Sequence, residues 1–171
     1  MDALDEEALQ VLLPRLRRFA RSLAGDPAAA DDLVQAALER ALRRWGSRRD
    51  AEALQPWLFS ILYRQFVDEH RRGRRWQRLL ALLGAQDAPT APSPEQIHAD
   101  RLQLAAFALL PAEQRALLLL VAVEGFSYRE AADTLGVPIG TVMSRLSRAR
   151  DRLRAAADEA PTPTRRLRGV P

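Results

Sequence analysis

A chain of 171 residues, 47% of them hydrophobic, has the material for one medium domain or two small ones with buried cores, which excludes wholesale disorder. It contains no cysteine, and its two histidines, His70 and His98, stand far apart without close ligand partners, so neither disulfides nor thiol chemistry, nor a metal site or other cofactor, is expected. All 26 basic residues are arginine and the formal net charge is +4, but placement says more than the total: acids crowd the start (Asp2, Asp5, Glu6, Glu7), "RRGRRWQR" at 71–78 holds five arginines and no acid, and six more arginines lie between Arg129 and Arg154. Taken singly, each run is an ordinary solvated helix face. Together, basic blocks separated in this way suit a polyanion partner.

The acidic start has no basic region leading into an apolar stretch, and the longest apolar run, "ALLLLVAV" at 116–123, is too short to span a bilayer. A cytoplasmic protein without membrane insertion is expected. Strand signals are nearly absent and helical periodicity is widespread. A first helix covers about 4–24 and ends at Gly25-Asp26-Pro27. A second begins near Asp31 and runs to Trp45, with Leu33, Val34, Ala37, Leu38, Ala41, Leu42 and Trp45 on one stripe and Asp32, Gln35, Glu39, Arg40 and Arg43 on the other side. "GSRRDAEALQ" at 46–55 reads as a loop or frayed turn. Pro56 suits the first turn of a third helix, "PWLFSILYRQFVDEHRR", which is apolar nearly all round at its start and polar from Asp68 to Arg72. "GAQDAPTAPSP" at 84–94 reads as a flexible linker, a second helical block follows to about Ala157, and the Pro- and Arg-rich tail 158–171 reads as disordered. The expected fold is all-α, two small helical domains (1–83 and 95–157) joined by the flexible linker, the C-terminal one a helix-turn-helix.

That motif is densest at "SYREAADTLGVPIGTVMSRLSRAR", 127–150. Ser127 and Glu130 have capping-box spacing and fix a helix start. Ala131, Ala132 and Leu135 form its inner face, where small residues let a second helix cross closely. Gly136 falls where a left-handed residue ends the helix, and Val137-Pro138 makes the corner. In the next helix Val142, Leu146, Ala149 and Leu153 share the docking face. The opposite face carries Met143, Ser144, Ser147 and Arg148, flanked by Arg145, Arg150 and Arg152. A helix that is small and polar where exposed, and bracketed by guanidinium groups, fits a major groove. Thr141, Arg145 and the helix N-terminus can hold phosphates.

"LPAEQRALLLLVAVEGFSYREAADTLGVPIGTVMSRLSRARDRL" at 110–153 resembles the DNA-binding region 4 of bacterial extracytoplasmic-function (ECF, group IV) sigma factors. "DDLVQAALERALRRW" at 31–45 is similar to the polymerase-binding region 2.2 of that family, and "PWLFSILYRQFVDEHRR" at 56–72 resembles its promoter-recognition helix. The resemblance covers about 10–155 in the right order. It implies a dissociable, non-catalytic subunit of RNA polymerase that docks on the clamp helices of the largest subunit through Asp32, Gln35, Glu39, Arg40 and Arg43. It implies −10 contacts by Arg48, Arg49, Arg64, Gln65, Asp68, Arg71 and Arg72, with an unstacked base held by the 46–55 loop. For −35 recognition it implies Thr141, Met143, Ser144, Arg145, Ser147 and Arg148. Family members commonly have asparagine where Gln65 stands, and a basic or bulky residue where Met143 and Ser147 stand. Trp57, Phe59, Tyr63 and Phe66 could stack on bases, but their spacing reads as core. Implied partners are core RNA polymerase, promoter DNA and an anti-sigma factor.

A stand-alone helix-turn-helix regulator would account for 110–155 while leaving the pattern at 31–72 unexplained. An enzyme is the remaining alternative. "DEH" at 68–70 is its nearest acid–base cluster, but consecutive helical residues point in different directions, and there is no Gly-rich phosphate loop or triad.

Overall fold

The computed structural model describes residues 6–47, 54–82 and 105–158, and the described residues are helices and the turns between them. Their order is α1 (Glu6–Ala24), α2 (Pro27–Arg43), a short 3-10 turn (Trp45–Ser47), α3 (Leu54–Leu82), α4 (105–109), α5 (Ala112–Ala122), α6 (Tyr128–Leu135) and α7 (Ile139–Asp158). The sequence expectation of an all-helical chain with a C-terminal helix-turn-helix holds. The linker at 84–94 lies outside the described residues, as do Arg48, Arg49 and the tail beyond Asp158.

The second helix ends at Arg43, with Trp45 in the 3-10 turn, and α3 begins at Leu54, so the end of the expected 46–55 loop is already helical. Two larger differences in helix boundaries have local reasons. The second helix starts four residues earlier than Asp31, because Asp26 is its N-cap: the carboxylate accepts the Ala29 N–H at 2.8 Å, and Pro27 occupies the first turn. The stop signal for one helix is therefore also the start signal for the next. The third helix does not end near Arg72 but runs on to Leu82. Gly73 lies inside it without a positive φ, so the glycine acts as a mere weak point of about 1 kcal/mol and not as a terminator. Leu42 also departs from the expected stripe, being 55% exposed. It follows buried Ala41, and one residue is about 100° around a helix, enough to leave a narrow buried stripe.

The N-terminal domain packs α1, α2 and the first half of α3 around Leu16, Phe19, Leu33, Phe59 and Leu62, each at most 1% exposed. The C-terminal domain packs α5, α6 and α7 around Leu117, Leu120, Val142 and Leu146. The two cores are continuous. Phe59 stands between Phe19 of α1 (centroids 5.1 Å apart) and Phe126 of the C-terminal domain (5.6 Å), so one aromatic row crosses from domain to domain. Such tilted pairs add about 0.5–1.5 kcal/mol each beyond area burial. Of the four α3 aromatics weighed above, Phe59 and Tyr63 are buried, Trp57 and Phe66 are partly buried against the core, and Trp57 meets Trp45 edge-on at 6.0 Å.

Candidate functional site

The helix-turn-helix forms by local chemistry. The Ser127 hydroxyl accepts the Glu130 N–H at 3.2 Å, and the Glu130 carboxylate accepts the Ser127 N–H at 2.7 Å and the hydroxyl proton at 2.7 Å. Both bonds favour the ionised carboxylate, and they hold the Glu130 carboxyl below its ordinary range, the Ser127 hydroxyl contributing most. At the other end Gly136 is left-handed (φ 66°, ψ 41°), and the Val137 N–H returns to the Ala132 carbonyl at 3.0 Å. Ala131, Ala132 and Leu135 are buried under α7, which docks through Val142, Leu146 and Ala149.

This docking leaves the other side of α7 facing outwards. Met143, Ser144, Ser147 and Arg148 are exposed, and Thr141 and Arg145 are half-buried. Ser144 donates to the Thr141 carbonyl at 3.1 Å, which sets its rotamer without consuming its acceptor capacity. The flanking arginines are partly occupied: the Arg150 guanidinium reaches the Tyr128 hydroxyl at 3.4 Å, and Arg152 reaches Gln114 Oε1 at 3.3 Å. Both brace α7 against the helices beneath it.

The residues singled out on α2 and α3 separate into two groups. Gln35, Glu39 and Arg43 form an exposed ladder one turn apart: Gln35 Nε2 donates to Glu39 Oε1 at 3.2 Å, and Arg43 lies 3.9 Å from the Glu39 carboxylate. Asp32 is exposed near the start of the same helix. Leu42 lies two turns beyond Gln35 and so on the same line, an apolar side chain in a polar face. Arg40 points elsewhere. Its guanidinium bonds Gln65 Oε1 at 3.1 Å and stands 3.9 Å from the Asp68 carboxylate, which joins α2 to α3. Gln65 in turn donates to Glu69 at 2.8 Å. Arg64, Arg71 and Arg72 are exposed.

Arg64, Asp68 and Arg71 line a cavity of about 940 Å³ between the domains, and Arg145 of α7 lines it from the other side. Tyr63 marks the convergence. Burial raises its hydroxyl above the ordinary value and Glu113 adds to that, while Arg145 and Arg71 pull the other way. Charges from α3, α5 and α7 thus act on one phenol.

Sequence reasoning missed the residues that join the domains. Glu124, whose side chain is only 1% exposed, is held by Arg15 and by Arg18 of α1, each at 2.6 Å. Gln55 and Arg15 also donate to its backbone carbonyl, each at 3.3 Å. Arg115 donates to the carbonyls of Ser22 (2.6 Å), Leu23 (3.2 Å) and Ala108 (3.0 Å) and to that of Leu110, capping the C-terminus of α1 from the other domain. Burial lowers its guanidinium from the ordinary value. The available signal was a lone acid closing the apolar run 116–123.

Among the described residues no cluster of His, Asp or Glu is placed to hold a metal ion, and no helix is long and apolar enough to cross a membrane. An outward-facing helix of small, polar and basic residues on a helix-turn-helix, beside a second helical domain, defines a two-domain DNA-binding protein. Comparison with known proteins narrows the class. Residues 104–153 match the family described as sigma-70, region 4, and residues 9–63 match the sigma2 domain of PhyR. The ECF RNA polymerase sigma factor EcfG of Rhodopseudomonas palustris is 39% identical over 155 residues, 90% of this chain and 84% of that one. SigL of Mycobacterium tuberculosis is 36% identical over 163 residues, covering 93% and 89%. The solved sigma factor RpoE from Bartonella quintana, in complex with the anti-sigma factor NepR, superposes with a TM-score of 0.73 at 33% identity, over 91% of this chain and 97% of that one. The chain belongs to the ECF family of RNA polymerase sigma factors, and it is a transcription initiation factor of that type.

Proposed function

We propose that the chain is a non-catalytic, cytoplasmic subunit that docks on the clamp helices of core RNA polymerase through Asp32, Gln35, Glu39 and Arg43. Leu42 joins this face as an apolar anchor, and Arg40 acts indirectly, by tying α2 to α3. Residues 1–83 then form the polymerase- and −10-binding unit and 95–157 the −35-binding unit, a division supported by the separate family matches at 9–63 and 104–153.

Recognition of −35 falls to Thr141, Met143, Ser144, Arg145, Ser147 and Arg148. The observation that carries this is the exposure of Met143, Ser144, Ser147 and Arg148 opposite buried Val142, Leu146 and Ala149. Arg148 pairs with guanine, the serines approach base edges, and Thr141 and Arg145 hold phosphates. At −10, Arg64, Gln65, Asp68, Arg71 and Arg72 engage the DNA, with Arg48 and Arg49 on phosphates beside an extruded base. Capture of a flipped base lowers the cost of strand opening, so melting needs no nucleotide hydrolysis.

The Bartonella relative is bound by an anti-sigma factor. By the same logic an anti-sigma partner holds this chain inactive. Transcription by purified core polymerase on a library of bacterial promoter fragments, with and without the protein, tests the reading. New start sites sharing −35 and −10 elements are expected. Sequence-specific duplex binding by the protein alone, without new starts, would instead favour a stand-alone regulator.

A further inference from the structure

The outward face of α7 is not uniformly polar. Six large hydrophobic side chains are exposed among the described residues, and of these only Ile139 (43%) and Met143 (51%) share a helix, one turn apart. A single exposed hydrophobic residue needs no explanation, but this pair continues the line of Ser147 and forms an apolar step at the edge of the face proposed for DNA. Gly140 lies exposed in the same turn. Its φ is not positive, and a Cβ added there would meet nothing within 4 Å. Neither backbone conformation nor packing inside the protein therefore calls for glycine, which is less favourable than alanine in a helix. A glycine of this kind marks a place where something outside the chain approaches the backbone closely. Bare backbone at Gly140 with aliphatic side chains beside it makes a shallow apolar seat. Among the base edges in a major groove, the apolar group is the 5-methyl of thymine.

We propose that Ile139 and Met143, beside the bare backbone of Gly140, read the 5-methyl group of thymine in the −35 element. This rests on the −35 role proposed above for α7, and it makes Ile139 a specificity-determining residue. Met143 and Arg148 are five residues apart, about 140° around the helix and about 7.5 Å along it, and Ile139 lies about 13.5 Å from Arg148 along the same axis. At roughly 3.4 Å per base pair, the thymine stands about two to four base pairs from the guanine paired with Arg148. Apolar recognition by the Ile139–Met143 step and polar recognition by Arg148 thus fall on different base pairs of one element.

Uracil differs from thymine by that methyl group alone. Once the promoter library has defined the −35 element, each of its thymines, on either strand, is replaced singly by uracil, and promoter binding is measured with the full-length protein on core polymerase. One or two replacements, about two to four base pairs from the position at which Arg148→Ala loses discrimination, are expected to weaken binding about three- to fourfold, the worth of one buried methyl group. In the Ile139→Ala, Met143→Ala double variant the same replacements should cost nothing further, because the methyl has lost its partner. Gly140→Ala is expected to raise the melting temperature and yet weaken promoter binding, a split that a glycine of purely structural purpose would not show. A flat uracil scan, or an element with only G·C pairs at that distance, overturns the proposal with the unaltered protein alone. So does an equal uracil cost in the wild type and the double variant, or unchanged binding by Gly140→Ala. If the scan is flat while Arg148→Ala still loses −35 discrimination, methyl reading fails and the −35 role of α7 stands. If Arg148→Ala is silent as well, that role fails with it.

Discussion

The two helices proposed to read DNA are built in opposite ways. On α7 the buried set (Val142, Leu146, Ala149) and the outward set (Ser144, Ser147, Arg148) alternate cleanly around the helix. On α3 the same stretch that faces DNA in the proposed reading is also structural: Gln65 and Asp68 hold Arg40, Phe66 stacks on His70 at 5.6 Å, and Tyr63 is buried. An exposed side chain on α7 can be changed with little effect on the fold, whereas a change on α3 alters packing and recognition together. Mutational data on the two elements should therefore be read differently.

The strongest way to break this contrast is through the shared core. Phe59→Ala empties a fully buried site that touches both domains and should cost about 3–5 kcal/mol. Denaturant unfolding followed at two probes, one per domain, should show both transitions shifting together. A shift confined to the N-terminal probe would mean that the domains are energetically separate.

Arg148→Ala should weaken −35 discrimination by about 1–3 kcal/mol through loss of a bidentate base contact, with no change in melting temperature. Transcription from promoters substituted at single −35 positions measures it, and undiminished discrimination would remove Arg148 from the reading set. Charge reversal at Glu39 (Glu39→Arg) sharpens the same point for α2. Affinity for core polymerase should fall while helicity is retained, and normal affinity would take that ladder out of the interface.

Ser127→Ala removes the capping box and should lower stability by about 1 kcal/mol. The Glu130 half of the box gives it a pH dependence of known sign. Its carboxyl is held below the ordinary range, so its contribution is complete above the unfolded value of 4.5 and is lost as pH falls through the lower folded value. Ser127→Ala should therefore flatten the acid limb of the stability–pH curve, and an unchanged limb would assign acid sensitivity elsewhere. The smallest effect is expected at Thr134, 2% exposed, whose hydroxyl finds no partner among the described residues. Thr134→Val removes that unsatisfied group at nearly constant shape and should raise stability by up to about 1 kcal/mol. A loss on thermal unfolding would show that the hydroxyl is satisfied after all.

The sequence by itself determined what local rules control. The Ser127–Glu130 cap, the left-handed Gly136, the buried stripe of α7 and its outward serines and arginine follow from bonds and periodicities spanning fewer than about eight residues. The same rules went astray where a signal had two meanings, as with Asp26-Pro27, or where one glycine was too weak to stop a long helix, as with Gly73. Tertiary structure alone decided that Arg40 serves α3, that Leu42 faces outwards, and that Glu124 meets Arg15 and Arg18 across more than 100 residues of chain. The physical reason is range. An ion pair or an aromatic row between domains depends on how two finished surfaces meet, and no local pattern records which surfaces those are.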